Sequence, residues 1–206
     1  MNKPIFITLE GVDGAGKTTH INFIQDYFLS KNIDFYITRE PGGTPLGEKL
    51  RTILLYEDMD PLTETLLMFG ARYEHIHNII KPKLNENITV VSDRFTDATY
   101  AYQYGGKSVD ISTINSLKNL IQKDLEPDLT FLFDLPINIS IDRLNKTREK
   151  KDKFEGQNIQ FHQAVRATYL NLARENKNRF HILDSTKDIL MIQKEIKKIL
   201  DTIFDD

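Results

Sequence analysis

Residues 5–18 read Ile5-Phe6-Ile7-Thr8-Leu9-Glu10-Gly11-Val12-Asp13-Gly14-Ala15-Gly16-Lys17-Thr18. The first five form an apolar run of strand length, and residues 11–18 complete the pattern G-x-x-x-x-G-K-[ST]. After them Ile21, Phe23, Ile24, Tyr27 and Phe28 recur with helical spacing. A buried strand, a tight glycine turn and a helix in that order aim the free N–H groups of the helix start at a phosphate. Lys17 is then placed to reach the β- and γ-phosphates, and the Thr18 hydroxyl to hold Mg²⁺. The reading predicts a nucleoside triphosphate site built from Gly11, Val12, Asp13, Gly14, Ala15, Gly16, Lys17, Thr18 and Thr19.

Outward from this stretch, apolar runs at residues 33–38, 88–92, 129–134 and 180–183 alternate with helical spacing at 46–55, 63–84, 111–125 and 161–174. Strands alternating with helices predict a three-layer α/β fold around a mostly parallel five-stranded sheet. A last helix over residues 189–204 carries Ile192, Ile196, Ile199, Leu200 and Ile203 on one stripe, as a core-facing helix should. No repeat, low-complexity tract or linker divides the chain, so one domain over residues 1–206 is expected. The apolar share of 40% and charged share of 28% are those of a globular protein, and the net charge of −3 argues against a nucleic-acid partner. Without cysteine there is neither a disulfide framework nor a thiolate metal site. No run approaches a membrane span, so no membrane partner and a cytoplasmic location are expected.

In parallel sheets ligands sit beyond the carboxyl ends of the strands. The phosphate loop, Arg39-Glu40-Pro41-Gly42-Gly43, Asp93-Arg94-Phe95, Asp134-Leu135-Pro136 and Asp184-Ser185-Thr186 all fall there, which suggests one cleft. A GTPase reading fails because Asn145-Lys146-Thr147-Arg148 lacks the Asp of N-K-x-D. A small-molecule phosphotransferase fits better than a motor ATPase, since several anion-binding groups surround one strand-end cleft. His75 and His77 are two apart and cannot pair on one helical face as metal ligands.

Several stretches together make the chain similar to the thymidylate kinase family over nearly its whole length. They are residues 10–19, Thr38-Arg39-Glu40-Pro41-Gly42-Gly43-Thr44, Leu66-Leu67-Met68-Phe69-Gly70-Ala71-Arg72, Ser92-Asp93-Arg94-Phe95, Thr99-Tyr100-Ala101-Tyr102-Gln103 and Asp152-Lys153-Phe154-Glu155. The resemblance implies a P-loop nucleoside-monophosphate-kinase-like fold with a short lid at about residues 143–157, ATP-Mg²⁺ as phosphoryl donor, dTMP as acceptor and a homodimer.

By the same resemblance Asp13 faces the acceptor's 3′-hydroxyl and helps to place Mg²⁺, together with Thr18 and Asp93. Arg94 grips the acceptor phosphate with its planar fork. Arg39 and Pro41 belong to the acceptor side. Phe69 stacks on thymine, Arg72 hydrogen-bonds its O4 and Thr99 reads N3. Tyr102 lies against C2′ of the sugar and disfavours a ribose, while Gln103 contacts base or phosphate. The family divides by whether its catalytic arginine lies in the phosphate loop or in the lid. With Gly14 in the loop, the charge is expected from the lid, from Arg143 or Arg148, with Lys153 and Glu155 as further lid residues. Rival readings are a deoxynucleoside kinase using Glu40 as base, another nucleoside monophosphate kinase, and a non-catalytic ATP-binding regulatory protein.

Overall fold

The computed structural model describes residues 3–147 and 152–204; the expected lid residue Arg148 lies outside them, as do Lys150 and Lys151. Strands β1 (Phe6–Glu10), β2 (Phe35–Arg39), β3 (Thr89–Asp93), β4 (Leu129–Asp134) and β5 (Phe180–Asp184) form one sheet. Its order is β2-β3-β1-β4-β5 and every pairing is parallel. Each strand lies within two residues of its expected bounds.

β1 is buried along its whole length because both of its edges are paired and both faces are covered. That explains its near-continuous apolar sequence. Its two polar side chains are satisfied internally. Thr8 Oγ1 lies 2.8 Å from Thr130 Oγ1, and Glu10 accepts from the backbone N–H of Phe95 and from Tyr169.

The helices are α1 (Lys17–Lys31), α2 (Pro45–Tyr56), α3 (Pro61–His75), α4 (Lys81–Asn85), α5 (Thr96–Thr99), α6 (Ile111–Ile121), α7 (Ile137–Thr147), α8 (Ile159–Glu175) and α9 (Ile189–Phe204). α1 and α9 pack on each other and on the sheet, while α8 packs on β4, β5 and the turns that follow β3. The result is helices on both sides of a parallel sheet, as expected. The long helix expected over 63–84 is present but changes pitch: Ile76–Ile80 is a π-helical turn joining α3 to α4. Pro82 has no N–H to return to the preceding turn, which accounts for the local widening. A second π-helical stretch, Tyr100–Gly106, follows α5.

From β1 the chain moves out to β2, returns through β3, then crosses to β4 and β5 on the other side. The carboxyl end of β1, between β3 and β4, is therefore the switch point of the sheet, where a crevice must open. Among the described residues no helix is long and apolar enough to cross a membrane.

Candidate active site

The loop after β1 is held open by glycine. Gly11, Gly14 and Gly16 have φ of 136°, 76° and 93°, and a Cβ on Gly11 would stand 2.5 Å from the Phe133 carbonyl oxygen of β4. The helices differ at their starts. Thr44, Asp60, Asp110 and Asn158 cap α2, α3, α6 and α8 with side-chain oxygens, whereas α1 begins at Gly16 with no side-chain cap. Its first N–H groups thus remain available for an anion, beside exposed Thr18 and Thr19. Lys17 Nζ donates to the carbonyl oxygens of Gly11 and Val12, at 3.1 Å each, so the ammonium lies over the loop. Burial, with Arg94 nearby, pushes this lysine below its ordinary pKa.

Asp13 and Arg94 meet at the mouth of the crevice. Arg94 has φ 71°, a left-handed backbone rare for a side-chain-bearing residue. Three hydrogen bonds hold it there: Arg94 N to Leu9 O (3.0 Å), Ser92 Oγ to Arg94 O (2.7 Å) and Phe95 N to Glu10 Oε1 (2.7 Å). The side chain is equally determined. Nη2 donates to Asp13 Oδ1 (2.6 Å) and to the Tyr102 hydroxyl (3.1 Å), and Nη1 to Gly11 O and the Tyr169 hydroxyl (3.1 Å each). Tyr102 in turn donates to Asp13 Oδ2 at 2.9 Å. Burial alone would raise the Asp13 pKa, but Arg94, Lys17 and the Tyr102 hydrogen bond outweigh it and hold the carboxyl well below its usual range.

On one side of this pair a small cavity of about 80 Å³ is walled by Met68, Arg72, Phe95, Ala98, Thr99, Tyr102, Gln103 and Phe154. Arg72 is buried and fixed by three bonds: Nε to Glu40 Oε2 (2.7 Å), Nη1 to Thr99 Oγ1 (3.0 Å) and Nη2 to Phe95 O (3.1 Å). The other Glu40 oxygen is taken by His75 Nδ1 (2.9 Å), whose Nε2 meets Thr38 Oγ1 (2.7 Å). Both Glu40 oxygens are thus committed, and although burial opposes it, Arg72 and His75 hold this carboxyl below its ordinary pKa.

On the other side a larger cleft of about 790 Å³ runs along the phosphate loop to Arg143, Lys146, Ser185 and Lys187. Arg143 bridges its two walls, donating from Nη1 to Gly14 O (3.3 Å) and from Nη2 to Ser185 O (3.0 Å). A Cβ at Gly14 would stand 3.0 Å from the Ser140 carbonyl oxygen, so α7, which carries Arg143, packs where a side chain at position 14 would have to go. Asp93 Oδ1 is buried in the same cleft with no hydrogen-bond partner. A buried, orphaned carboxylate oxygen in a cleft that Thr18 also lines is a donor set that fits a hydrated Mg²⁺. Cleft and cavity share Asp13, Glu40, Arg51 and Arg94 as a common wall.

The family model described as thymidylate kinase matches residues 9–196. The chain belongs to the thymidylate kinase family. It is 49% identical over 195 residues to the thymidylate kinase of Janthinobacterium sp. (strain Marseille), covering 95% of each chain. With the thymidylate kinase of Neisseria meningitidis (serogroup A, strain Z2491) it shares 46% identity over 204 residues, or 98% of each. Among solved structures it resembles a thymidylate kinase from Ehrlichia chaffeensis with a TM-score of 0.77 at 34% identity, covering 96% of this chain and 98% of that one.

Set against this site, the expected residues divide. Asp13, Pro41, Arg72, Arg94, Thr99, Tyr102 and Gln103 line the smaller cavity together. Phe69 does not. It is fully buried with Val109 and Ile114, its ring 4.9 Å from the Arg72 guanidinium, and the neighbouring Met68 takes the place in the cavity wall. Residues three apart share a helical face, so the Phe69–Arg72 contact was legible, but not which side of Arg72 the cavity occupies. Lys153 is likewise displaced from its expected role: its Nζ lies 2.8 Å from Glu64 Oε2 and donates to Glu57 O at 2.8 Å, away from the phosphate loop. Glu155 is buried and accepts from Asp152 N at 3.2 Å. Arg39 is exposed and paired in a fork with Glu48 (3.2 and 2.7 Å) at the edge of the cleft. Asp13, with both oxygens bonded, is a poorer metal ligand here than Asp93.

Sequence reasoning missed Arg51, whose Nη1 donates to Pro41 O at 2.9 Å and which lines both cavities. Its spacing suggests an ordinary i, i+3 pair with Glu48, yet Glu48 turns to Arg39 instead. Tyr169, which carries no motif of its own, was also missed, and Phe154 lay in a quoted stretch without being given a role.

Proposed function

We propose that the chain transfers the terminal phosphoryl group of ATP to dTMP, giving ADP and dTDP. The observation that carries this reading is the wall shared by the two cavities. A triphosphate laid along the loop and a monophosphate in the acceptor cavity would meet at Arg51 and Arg94. The acceptor oxygen belongs to a phosphate monoester and is already anionic at neutral pH, so no general base is needed. The protein's work is to hold two polyanions in line and offset their repulsion. Lys17 and the start of α1 bind the donor phosphates, and Arg94 with Arg51 holds the acceptor phosphate. Thr18 and Asp93 would hold Mg²⁺, which when bound neutralises charge on the donor phosphates.

Further charge comes from the α7 side, from Arg143 over Gly14 and from Arg148 in the lid. Arg72 offers donors to a pyrimidine carbonyl, with Thr99 and Gln103 beside it. Tyr102, its hydroxyl on Asp13, turns its ring to the sugar and disfavours a 2′-hydroxyl. Commitment of both Glu40 oxygens argues against the deoxynucleoside kinase reading, which needs Glu40 as a free base. The half-exposed stripe Leu62, Leu66 and Tyr73 on α3 supports a homodimer, checked by light scattering. The function is tested by coupled ADP release with dTMP, dUMP and thymidine as acceptors; phosphorylation of thymidine with dTMP ignored would overturn it.

A further inference from the structure

Outside the phosphate-binding groups lies a buried ionic cluster that the transfer reaction does not use. Glu64, in the first turn of α3, is fully buried. Its Oε1 accepts from Gln103 Nε2 at 3.0 Å, and its Oε2 lies 2.8 Å from both Lys107 Nζ and Lys153 Nζ. The two ammonium groups sit 4.8 and 5.4 Å from the Phe154 ring, and that ring packs edge-on against Tyr102 with centroids 5.7 Å apart. The turn at residues 152–156 is rigid in its own right: Asp152 Oδ1 accepts from Phe154 N and Glu155 N at 2.9 Å each, and Lys153 N donates to Leu55 O at 3.1 Å. One carboxylate therefore ties a cavity-wall amide to the anchored end of the lid segment.

A carboxylate flanked by two ammonium groups only accepts hydrogen bonds. Gln103 must turn its NH₂ towards it, and this leaves the amide oxygen as the group Gln103 can offer to the cavity it lines. Beside it, three of the five N–H groups of Arg72 are used by Glu40, Thr99 and Phe95, so donors remain. The wall then presents a donor next to an acceptor. That pattern complements a pyrimidine edge of carbonyl next to N–H, as in thymine. It mismatches the amino group next to a bare ring nitrogen of cytosine.

We infer that Glu64 is a positioning residue for base selection: it fixes the Gln103 amide so that an imide-bearing pyrimidine is accepted and an amino-pyrimidine refused. The inference rests on the acceptor assignment made above.

It is tested on the full chain by kcat/KM for dTMP and for dCMP at saturating ATP-Mg²⁺, in the wild type, Glu64→Gln and Gln103→Leu. A glutamine at 64 can pair with Gln103 in either orientation, so Glu64→Gln should lower the dTMP-to-dCMP ratio by about tenfold or more. The KM for ATP should stay within about twofold, whereas loss of folded enzyme would lower both acceptors alike. Should Glu64→Gln not fold, the double variant Glu64→Gln/Lys153→Met, which keeps the net charge of the cluster, carries the same measurement. An unchanged ratio in the folded variant, with Gln103→Leu collapsing it, overturns the role of Glu64. An unchanged ratio in Gln103→Leu removes Gln103 from the base edge and the inference with it. A wild type that phosphorylates neither nucleotide overturns the acceptor assignment itself.

Discussion

Glu10 offers a worked test of the electrostatics behind the site. It is fully buried at the end of β1, and burial, reinforced by the charge of Asp97, pushes its carboxyl from an ordinary 4.5 up to about 8. Arg94, Tyr169 and Phe95 N pull the other way and do not prevail. Between those two pH values the folded chain keeps a proton that the unfolded chain has released. Stability is therefore lost as pH rises through that window, at up to about 1.4 kcal/mol per pH unit and roughly 5 kcal/mol across the whole of it. Glu10→Gln keeps an acceptor for Phe95 N but cannot titrate. The stability of the variant relative to the wild type should then improve by roughly 3 kcal/mol between about pH 5.5 and pH 8. Urea denaturation of both proteins across that range measures the difference directly. A gap that stays constant with pH would refute the raised carboxyl, whatever its absolute size.

Three further outcomes are expected. Arg94→Lys keeps the charge but loses the fork that makes four hydrogen bonds, and should lower kcat/KM for dTMP by about ten- to a hundredfold in a coupled assay; activity within twofold would count against the phosphate-gripping role. Tyr102→Phe removes the hydroxyl shared by Asp13 and Arg94 and should cost roughly tenfold in kcat, whereas Tyr102→Ala should also narrow the preference for deoxy over ribo acceptors. Arg143→Ala should weaken ATP binding by unfastening the phosphate loop from the Ser185 turn, while Arg148→Ala should lower turnover; equal KM and kcat for both variants would move the donor-side charge elsewhere.

The central strands β1, β3 and β4 were readable because a parallel strand buried on both faces leaves an unbroken apolar run. The edge strands β2 and β5 are only partly buried, and the site followed because such a sheet gathers its strand ends. Phe69, Lys153 and Glu64 were not readable for a shared reason. Helical spacing says which residues are neighbours on a face but not what that face meets. Phe69 and Arg72 do touch, yet the cavity opens beside Met68. Lys153 sits in a run of charges that looks solvated, and only the fold brings Glu64, 89 residues earlier, within reach. Glu64 itself resembles any helix-start acid, a position that favours negative charge at the surface. Its burial is visible only once α3 is docked.

The central place of β1 has a consequence for how the chain folds. Phe6 pairs with Val90 and Ile7 with Leu129, so neither neighbour of β1 exists when it is made. One edge of this apolar strand stays open until β3 is made at Thr89–Asp93, and the other until β4 is made at Leu129–Asp134. Such long-range parallel pairing is slow and exposes the chain to aggregation. The phosphate loop closes its shape against Phe133 of β4, so ligand binding cannot assist folding before that strand is in place. Nucleotide can therefore stabilise only a sheet in which β4 already stands beside β1.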